Sequence, residues 1–307
     1  MKMQRISRGV FLAGLCAALA AASPLSAQAA GSAQFVMTAS VKGSNAPPVL
    51  QQNNVSVTVK NRPAEITQWQ PLRGADAGLQ LVFLFDESAP SYLALQIPSL
   101  RTFIQGLPAS AEVGVAYMAN GRAVFTQKLT SDHALAAKSL RITNSIPGVS
   151  ASPYFCLSDL AKHWPSSTKT RRVVFMVTNG EDPYYMQADM QDPYLSSAIS
   201  DSQRAGMLVY SIYFKDVGFR RAGSFGRLIG QSYLLRLADE TGGQTYANGL
   251  TTVVSFDPYL AQFKTSLENQ YMVSITAQGS GLQRIKVKSN LNGVKLSAPA
   301  AVNVGGQ

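Results

Sequence analysis

Cysteine and histidine are nearly absent: Cys16, Cys156, His133 and His163 are the only ones in 307 residues. Cys16 lies within a segment that reads as a removable leader, so Cys156 is left alone and no internal disulfide can form. Stability must then come from a packed core. Phe155, Cys156, Leu160 and Trp164 recur at helical spacing, which puts Cys156 on an apolar helix face as a small hydrophobe. G-x-S-x-G, H-E-x-x-H and a phosphate-binding loop are all missing. A hydrolase needs a nucleophile, a base and an orienting acid. His163 follows Asp159 by one helical turn, with Ser158 beside that Asp, but consecutive helix residues point in different directions. A surface pair is expected there, and the chain is not expected to be an enzyme. No apolar run is long enough for an ordinary membrane span. Basic residues outnumber acidic ones, 27 to 17, for a net charge of +10. They are scattered, with doublets at Arg171-Arg172 and Arg220-Arg221, and do not interleave with aromatics as a nucleic-acid platform would. A solvated basic surface remains, biased towards acidic partners or anionic envelope surfaces.

What is present begins with a leader. Lys2, Arg5 and Arg8 precede GVFLAGLCAALAAA, and Ala27-Gln28-Ala29 fits a small-x-small cleavage pattern. Residues 1–29 therefore read as a signal peptide, with a mature start at Ala30 and no membrane span after cleavage. Leu15 stands where a lipoprotein cysteine would need a small residue. The mature chain would carry 24 basic residues against 17 acidic ones. An exported protein, periplasmic or extracellular, is expected.

Residues 30–34 read as a flexible lead-in to strand-like pieces over 35–72, where Val55, Val57 and Val59 alternate with polar residues. Gly74 to Gly78 reads as a linker. From residue 79 strands alternate with helical patterns: LQLVFLFD, AEVGVAYM, RAVFTQKL, RRVVFMV and GMLVYSIYF are the strands. Leu93, Ile97, Leu100, Ile104 and Leu107 mark a helix that Pro98 starts or kinks. Asp132 can cap a helix over 133–142. LLRLADETGG reads as a helix ended by Gly242-Gly243, and Phe256, Tyr259, Leu260, Phe263 and Leu267 form an amphipathic stripe. After residue 270 strands return as YMVSITA, LQRIKVKS and VKLSAPAAV. The fold expected is α/β: a doubly wound, mostly parallel sheet over 79–269. A small β domain flanks it, with residues 270–307 pairing with 35–72 of the segment 30–78.

Two near-continuous apolar strands end in oxygen-rich loops. LQLVFLFDES delivers Asp86 and Ser88; RRVVFMVTNGED delivers Thr178, Asn179, Glu181 and Asp182. Strands buried on both faces belong to parallel sheets, whose ligands gather at the carboxyl ends, so these loops are expected to flank one site. Together with VGVAYMANGRAVFTQKLTSD, AGMLVYSIYF, LADETGGQTY and LENQYMVSI, these segments resemble a von Willebrand factor type A domain. The type is the one of exported bacterial proteins with flanking β segments. Many members of that family hold a divalent cation in a metal-ion-dependent adhesion site (MIDAS), built from D-x-S-x-S, a threonine and an aspartate. Hard cations of this kind take oxygen ligands. By that resemblance Asp86 and Ser88 match the first and third positions. Pro90 stands at the fifth, with Ser91 adjacent; the threonine falls near Ser150 or Ser152, and the aspartate on Asn179. The implied ligand set is Asp86, Ser88, Ser91, Ser152 and Asn179. It is a degenerate site with no resident cofactor and, at most, weak Mg²⁺ or Ca²⁺ binding, because charge count tunes affinity at hard-cation sites.

The function expected is a binding or adhesion module for a protein ligand in the envelope or outside the cell. The alternative is a structural subunit of an envelope assembly, and a hydrolase ranks last. EDPYYMQADMQDPY supplies the partner-binding loop, with Glu181, Asp182, Tyr184, Tyr185, Met186 and Tyr194, since tyrosine and methionine suit adaptable interfaces.

Overall fold

All eight residues of LQLVFLFD are buried in the computed structural model, which is what a strand covered on both faces requires. The structure describes residues 30–41, 43, 48–74, 77–168, 170–185, 187, 191–215, 224–249, 251 and 253–305. The expected signal peptide over 1–29, Met186 and the Arg220-Arg221 doublet lie outside them.

In chain order, the amino-terminal strands are β1 (Ala30–Val41), β2 (Val55–Val59) and β3 (Arg62–Pro71). Then come β4 (Leu79–Asp86), α1 (Ile97–Gln105), β5 (Ala111–Ala119), β6 (Arg122–Thr130), α2 (His133–Lys138) and α3 (Pro153–Lys162). β7 (Arg171–Thr178), α4 (Pro193–Arg204), β8 (Met207–Tyr213), α5 (Ser224–Thr241), β9 (Thr245–Tyr246) and α6 (Asp257–Glu268) follow. The chain finishes with β10 (Gln270–Gln278), β11 (Gly281–Ser289), β12 (Val294–Ser297) and β13 (Ala301–Val304).

Six strands form one sheet in the order β6-β5-β4-β7-β8-β9, parallel except for the β5–β6 pair. Leu81, Phe83 and Phe85 of β4 pack on one face with Leu100 and Ile104 of α1 and Leu260 and Phe263 of α6. Val82 and Leu84 pack on the other with Tyr154 and Leu157 of α3, Leu195 of α4 and Tyr233 of α5. Each such side chain contributes about 1.5–3 kcal/mol by leaving water, so this sandwich holds the carboxyl-end loops on a rigid base.

The other seven strands form an antiparallel sheet in the order β12-β1-β10-β3-β2-β11-β13. It curls until its ends approach, and the Gly305 N–H donates to the Ser32 carbonyl at 2.9 Å. Val36 of β1 and Leu72, which follows β3, belong to the core beneath α6, so the two sheets share apolar contacts.

Three expectations are corrected. Residues 30–34 are no lead-in but part of β1, in register with β10 from Ala30↔Gln278 to Gln34↔Ser274. The helix capped by Asp132, whose carboxylate accepts from the Leu135 N–H at 2.9 Å, stops at Lys138 rather than reaching residue 142. Tyr117 claims the chain just beyond, accepting from the Arg141 N–H at 2.8 Å and donating to the Arg141 carbonyl at 2.9 Å. VKLSAPAAV is two strands, not one: Pro299 cannot supply a ladder N–H, and its flanks pair at opposite ends of the curled sheet.

Candidate functional site

β4 and β7 run parallel with Phe85 opposite Val177, so Asp86 and Thr178 leave the sheet side by side. The two loops expected to flank one site lie together at this edge of the sheet. Thr178 Oγ1 donates to Asp86 Oδ2 at 3.1 Å. Asp86 Oδ1 accepts from the Ser88 N–H at 3.1 Å, from Ser88 Oγ at 2.5 Å, and from Ser150 Oγ in a very short contact. Asp86 is 2% exposed. Burial pushes its carboxyl above the ordinary value of 3.8, against the opposing pull of hydrogen bonds from Ser150, Ser88 and Thr178.

Ser150, rather than Ser152, is the serine that reaches Asp86. The turn between β5 and β6 fixes it: the Asn120 and Gly121 N–H groups donate to the Val149 and Ser150 carbonyls at 2.8 and 3.2 Å. The Cys156 thiol donates to the same Ser150 carbonyl at 3.3 Å. That thiol is buried, which drives its pKa up and keeps it protonated. Ala151, between the two serines, has φ +56°, a left-handed conformation rare for alanine. Ser152 caps α3 through the Tyr154 N–H at 3.2 Å and donates to Asp182 Oδ2 at 2.8 Å. Ser91 is exposed at the start of a 3₁₀ turn (Ser91–Gln96), with no hydrogen bond to the Asp86 cluster.

The β7 loop is folded on itself. Asn179 Oδ1 accepts from the Glu181 N–H at 3.0 Å, and Asp182 Oδ1 from the Tyr184 N–H at 2.8 Å. Asn179, Glu181 and Asp182 are buried. The loop presses on α5, where an added Cβ at Gly230 would collide with the Asn179 carbonyl, and one at Gly180 with the Gly230 carbonyl. Gly180 also has φ +71°, so glycine is required there twice over. Tyr184 stays exposed while its ring packs 5.2 Å from that of Phe155, and the half-buried Tyr185 donates to Gln187 Oε1 at 3.2 Å.

A second anchor was not legible in the sequence. Glu87, beside Asp86, is buried and takes two hydrogen bonds from Arg141, Nη1 to Oε1 at 2.9 Å and Nη2 to Oε2 at 2.6 Å. Its Oε1 also accepts from the Asn144 N–H at 2.7 Å. The Arg141 guanidinium stacks 3.9 Å over the Tyr117 ring. The pair is separated by 54 residues and carries no spacing signal. Thr178, expected at this edge because it closes an apolar strand directly before the polar loop, does reach Asp86, although the implied ligand set leaves it out.

The donor set decides what this cluster can hold. Asp86 brings one carboxylate, and its hydroxyl neighbours spend their protons on it. Asn179 contributes its oxygen to the loop backbone and leaves a buried Nδ2 without a partner, a donor where a cation would need an acceptor. Among the described residues no three carboxylate, imidazole or thiol groups converge. This set does not fit tight binding of a hard cation, which rises with ligand charge.

No protein-family model matches this chain, and no curated protein matches it in sequence. Among solved structures, 62% of the chain is similar to 98% of an aerotolerance-related membrane protein from Bacteroides fragilis NCTC 9343, at 17% identity and a TM-score of 0.43. The proximal thread matrix protein 1 of the mussel byssus, with a zinc-occupied MIDAS motif, is similar over 64% of this chain and 46% of its own, at 16% identity and a TM-score of 0.43. The pilus adhesin SpaC from Lactobacillus rhamnosus GG, in its open conformation, is similar over 88% of this chain and 47% of its own, at 8% identity and a TM-score of 0.45. Likenesses this distant assign neither ligand nor activity.

Proposed function

We propose that this chain is an exported binding module of the von Willebrand factor A type. It recognises another protein through the rim of loops at the carboxyl ends of β4 and β7, without a resident cation. One contrast at that rim carries the reading. The polar groups a cation would need are buried and bonded to one another, while apolar side chains on neighbouring loops face solvent. Ile142 and Ile146, on the loop tied down through Glu87, are 56% and 55% exposed, and Tyr184 is 59% exposed. Large apolar groups on loops held by buried hydrogen bonds suit the core of a protein interface and lose little entropy on docking. The parallel sheet with helices on both faces supports the doubly wound type A architecture, whose carboxyl ends are the usual ligand edge. Catalysis is not part of the proposal: Ser158 donates to Asp201 while His163 pairs with Asp159 at 3.1 Å, so serine and histidine have different partners.

Crosslinking in intact cells, with and without a chelator, tests the proposal. The chain is expected to capture a defined envelope protein, to lose it when Tyr184 and Ile146 are both replaced by alanine, and to keep it in chelator. Capture that survives the double replacement, or that chelator abolishes, contradicts it.

A further inference from the structure

At the opposite end of the same strands lies a polar feature that the rim does not use. β4 and β7 have eight residues each, which at about 3.3 Å per residue places their amino ends roughly 23 Å from Asp86. Arg171, the first residue of β7, is 5% exposed and lines a cavity of about 250 Å³ at the amino ends of β4, β5 and β7, beside the α1–β5 loop and the end of α6. Its Nη1 donates to the Leu267 carbonyl at 2.7 Å and to Gln270 Oε1 at 2.8 Å, and its Nη2 to the Ala77 carbonyl at 3.3 Å. All three acceptors are neutral. Its Nε, though buried, has no partner, and neither has Ser110 Oγ on the same cavity wall. Among the described residues no carboxylate pairs with Arg171.

The charge around the cavity is lopsided. Among the described residues Arg73 and Lys264 also line it, with Glu268 the one carboxylate. Arg73 is held by the Glu268 and Pro48 carbonyls and the Tyr271 hydroxyl, again neutral oxygens. Leu72, Leu79, Leu107 and Leu267 make much of the remaining wall. Burying a guanidinium among neutral acceptors carries a desolvation cost that a packed apolar residue would avoid. Desolvation pulls the group down only to about 10, so it stays cationic at neutral pH. A buried cation on the wall of a void, with only neutral acceptors around it, is arranged to receive an anion.

We propose that this cavity binds a small organic acid, its carboxylate accepting from Arg171 and its apolar body lying against the leucine wall. Lys264 at the exposed mouth attracts the anion. The volume is below the roughly 300–1,000 Å³ of sites for drug-sized ligands, so the acid is compact.

Calorimetric titration of the purified protein with hexanoate, hexanol and hexylammonium tests this without any mutation. Hexanoate is expected to saturate one site, and hexanol to bind roughly tenfold or more weakly, the worth of one charge-assisted hydrogen bond. Hexylammonium is expected not to bind. Arg171→Gln should abolish hexanoate binding. Because that variant also loses hydrogen bonds to the Leu267 and Ala77 carbonyls, the exposed Lys264→Glu serves as the second, weakening hexanoate severalfold at low salt while Lys288→Glu on the distant β11 does not. Equal binding of hexanol, equal effects of the two lysine variants, or no saturation up to about 10 mM would overturn the proposal.

Discussion

Asp86 gathers three hydroxyls and a backbone N–H around one buried carboxylate, and its titration has a readable sign. The folded-state pKa lies above the ordinary 3.8, so the folded protein binds more protons than the unfolded chain between those two values. Stability from this group is therefore highest below pH 3.8, falls as pH rises through the folded pKa, and is flat above it. Asp86→Asn is expected to remove that downward slope, which denaturant unfolding across pH 3–7 would read as a difference between the two proteins. A variant with the same slope as the wild type would mean Asp86 is not the buried group described. At Ala151 the strain has the opposite use. Glycine adopts φ +56° freely, so Ala151→Gly is expected to raise stability by about 0.5–1 kcal/mol, against the usual loss for such a replacement. A drop in melting temperature would contradict the left-handed assignment.

At the scale of elements, the loops are held by contacts that local sequence does not announce. Helix propensity says Gly230→Ala within α5 should stabilise by about 1 kcal/mol. The collision with the Asn179 carbonyl predicts a loss of about 1–3 kcal/mol instead, with faster hydrogen exchange at the Gly180 and Glu181 amides. Arg141→Ala leaves the Glu87 carboxylate buried without its cation, and is expected to cost about 1–3 kcal/mol and to free the loop carrying Ile142 and Ile146. Limited proteolysis at that loop gives the readout; unchanged cleavage would separate the loop from the ion pair. β4 and β7 were legible because burial on both faces demands unbroken apolar runs, and α6 because its stripe repeats at helical spacing. The start of β1 was not, since Gly31, Ser32 and Ala33 carry no apolar alternation and find their partner some 240 residues away in β10. Nor was α4, where the small residues of SSAISDS suffice because they pack closely against neighbouring helices. The side-by-side exit of Asp86 and Thr178 followed from strand pattern, whereas Ser150 and the Glu87–Arg141 pair depended on long-range folding.

Over the whole molecule, one parallel sheet carries two different polar ends. At its carboxyl end Asp86, Ser88, Ser150 and Thr178 are spent on one another, and nearby apolar side chains face outward. At its amino end a cavity is lined by Arg171, a buried cation bonded only to neutral acceptors. Ala300 links the curled sheet to α5 through its N–H to the Glu240 carbonyl at 3.0 Å, so the layers are joined away from the rim as well as beneath it. The proposed rim, without a cation, would differ from an adhesion site switched by metal in one measurable respect. Calorimetric titration of the purified protein with Mg²⁺, Ca²⁺ and Mn²⁺ is expected to give no saturable binding tighter than about 1 mM. Micromolar binding of any of the three, lost in Asp86→Ala, would contradict the account at its centre.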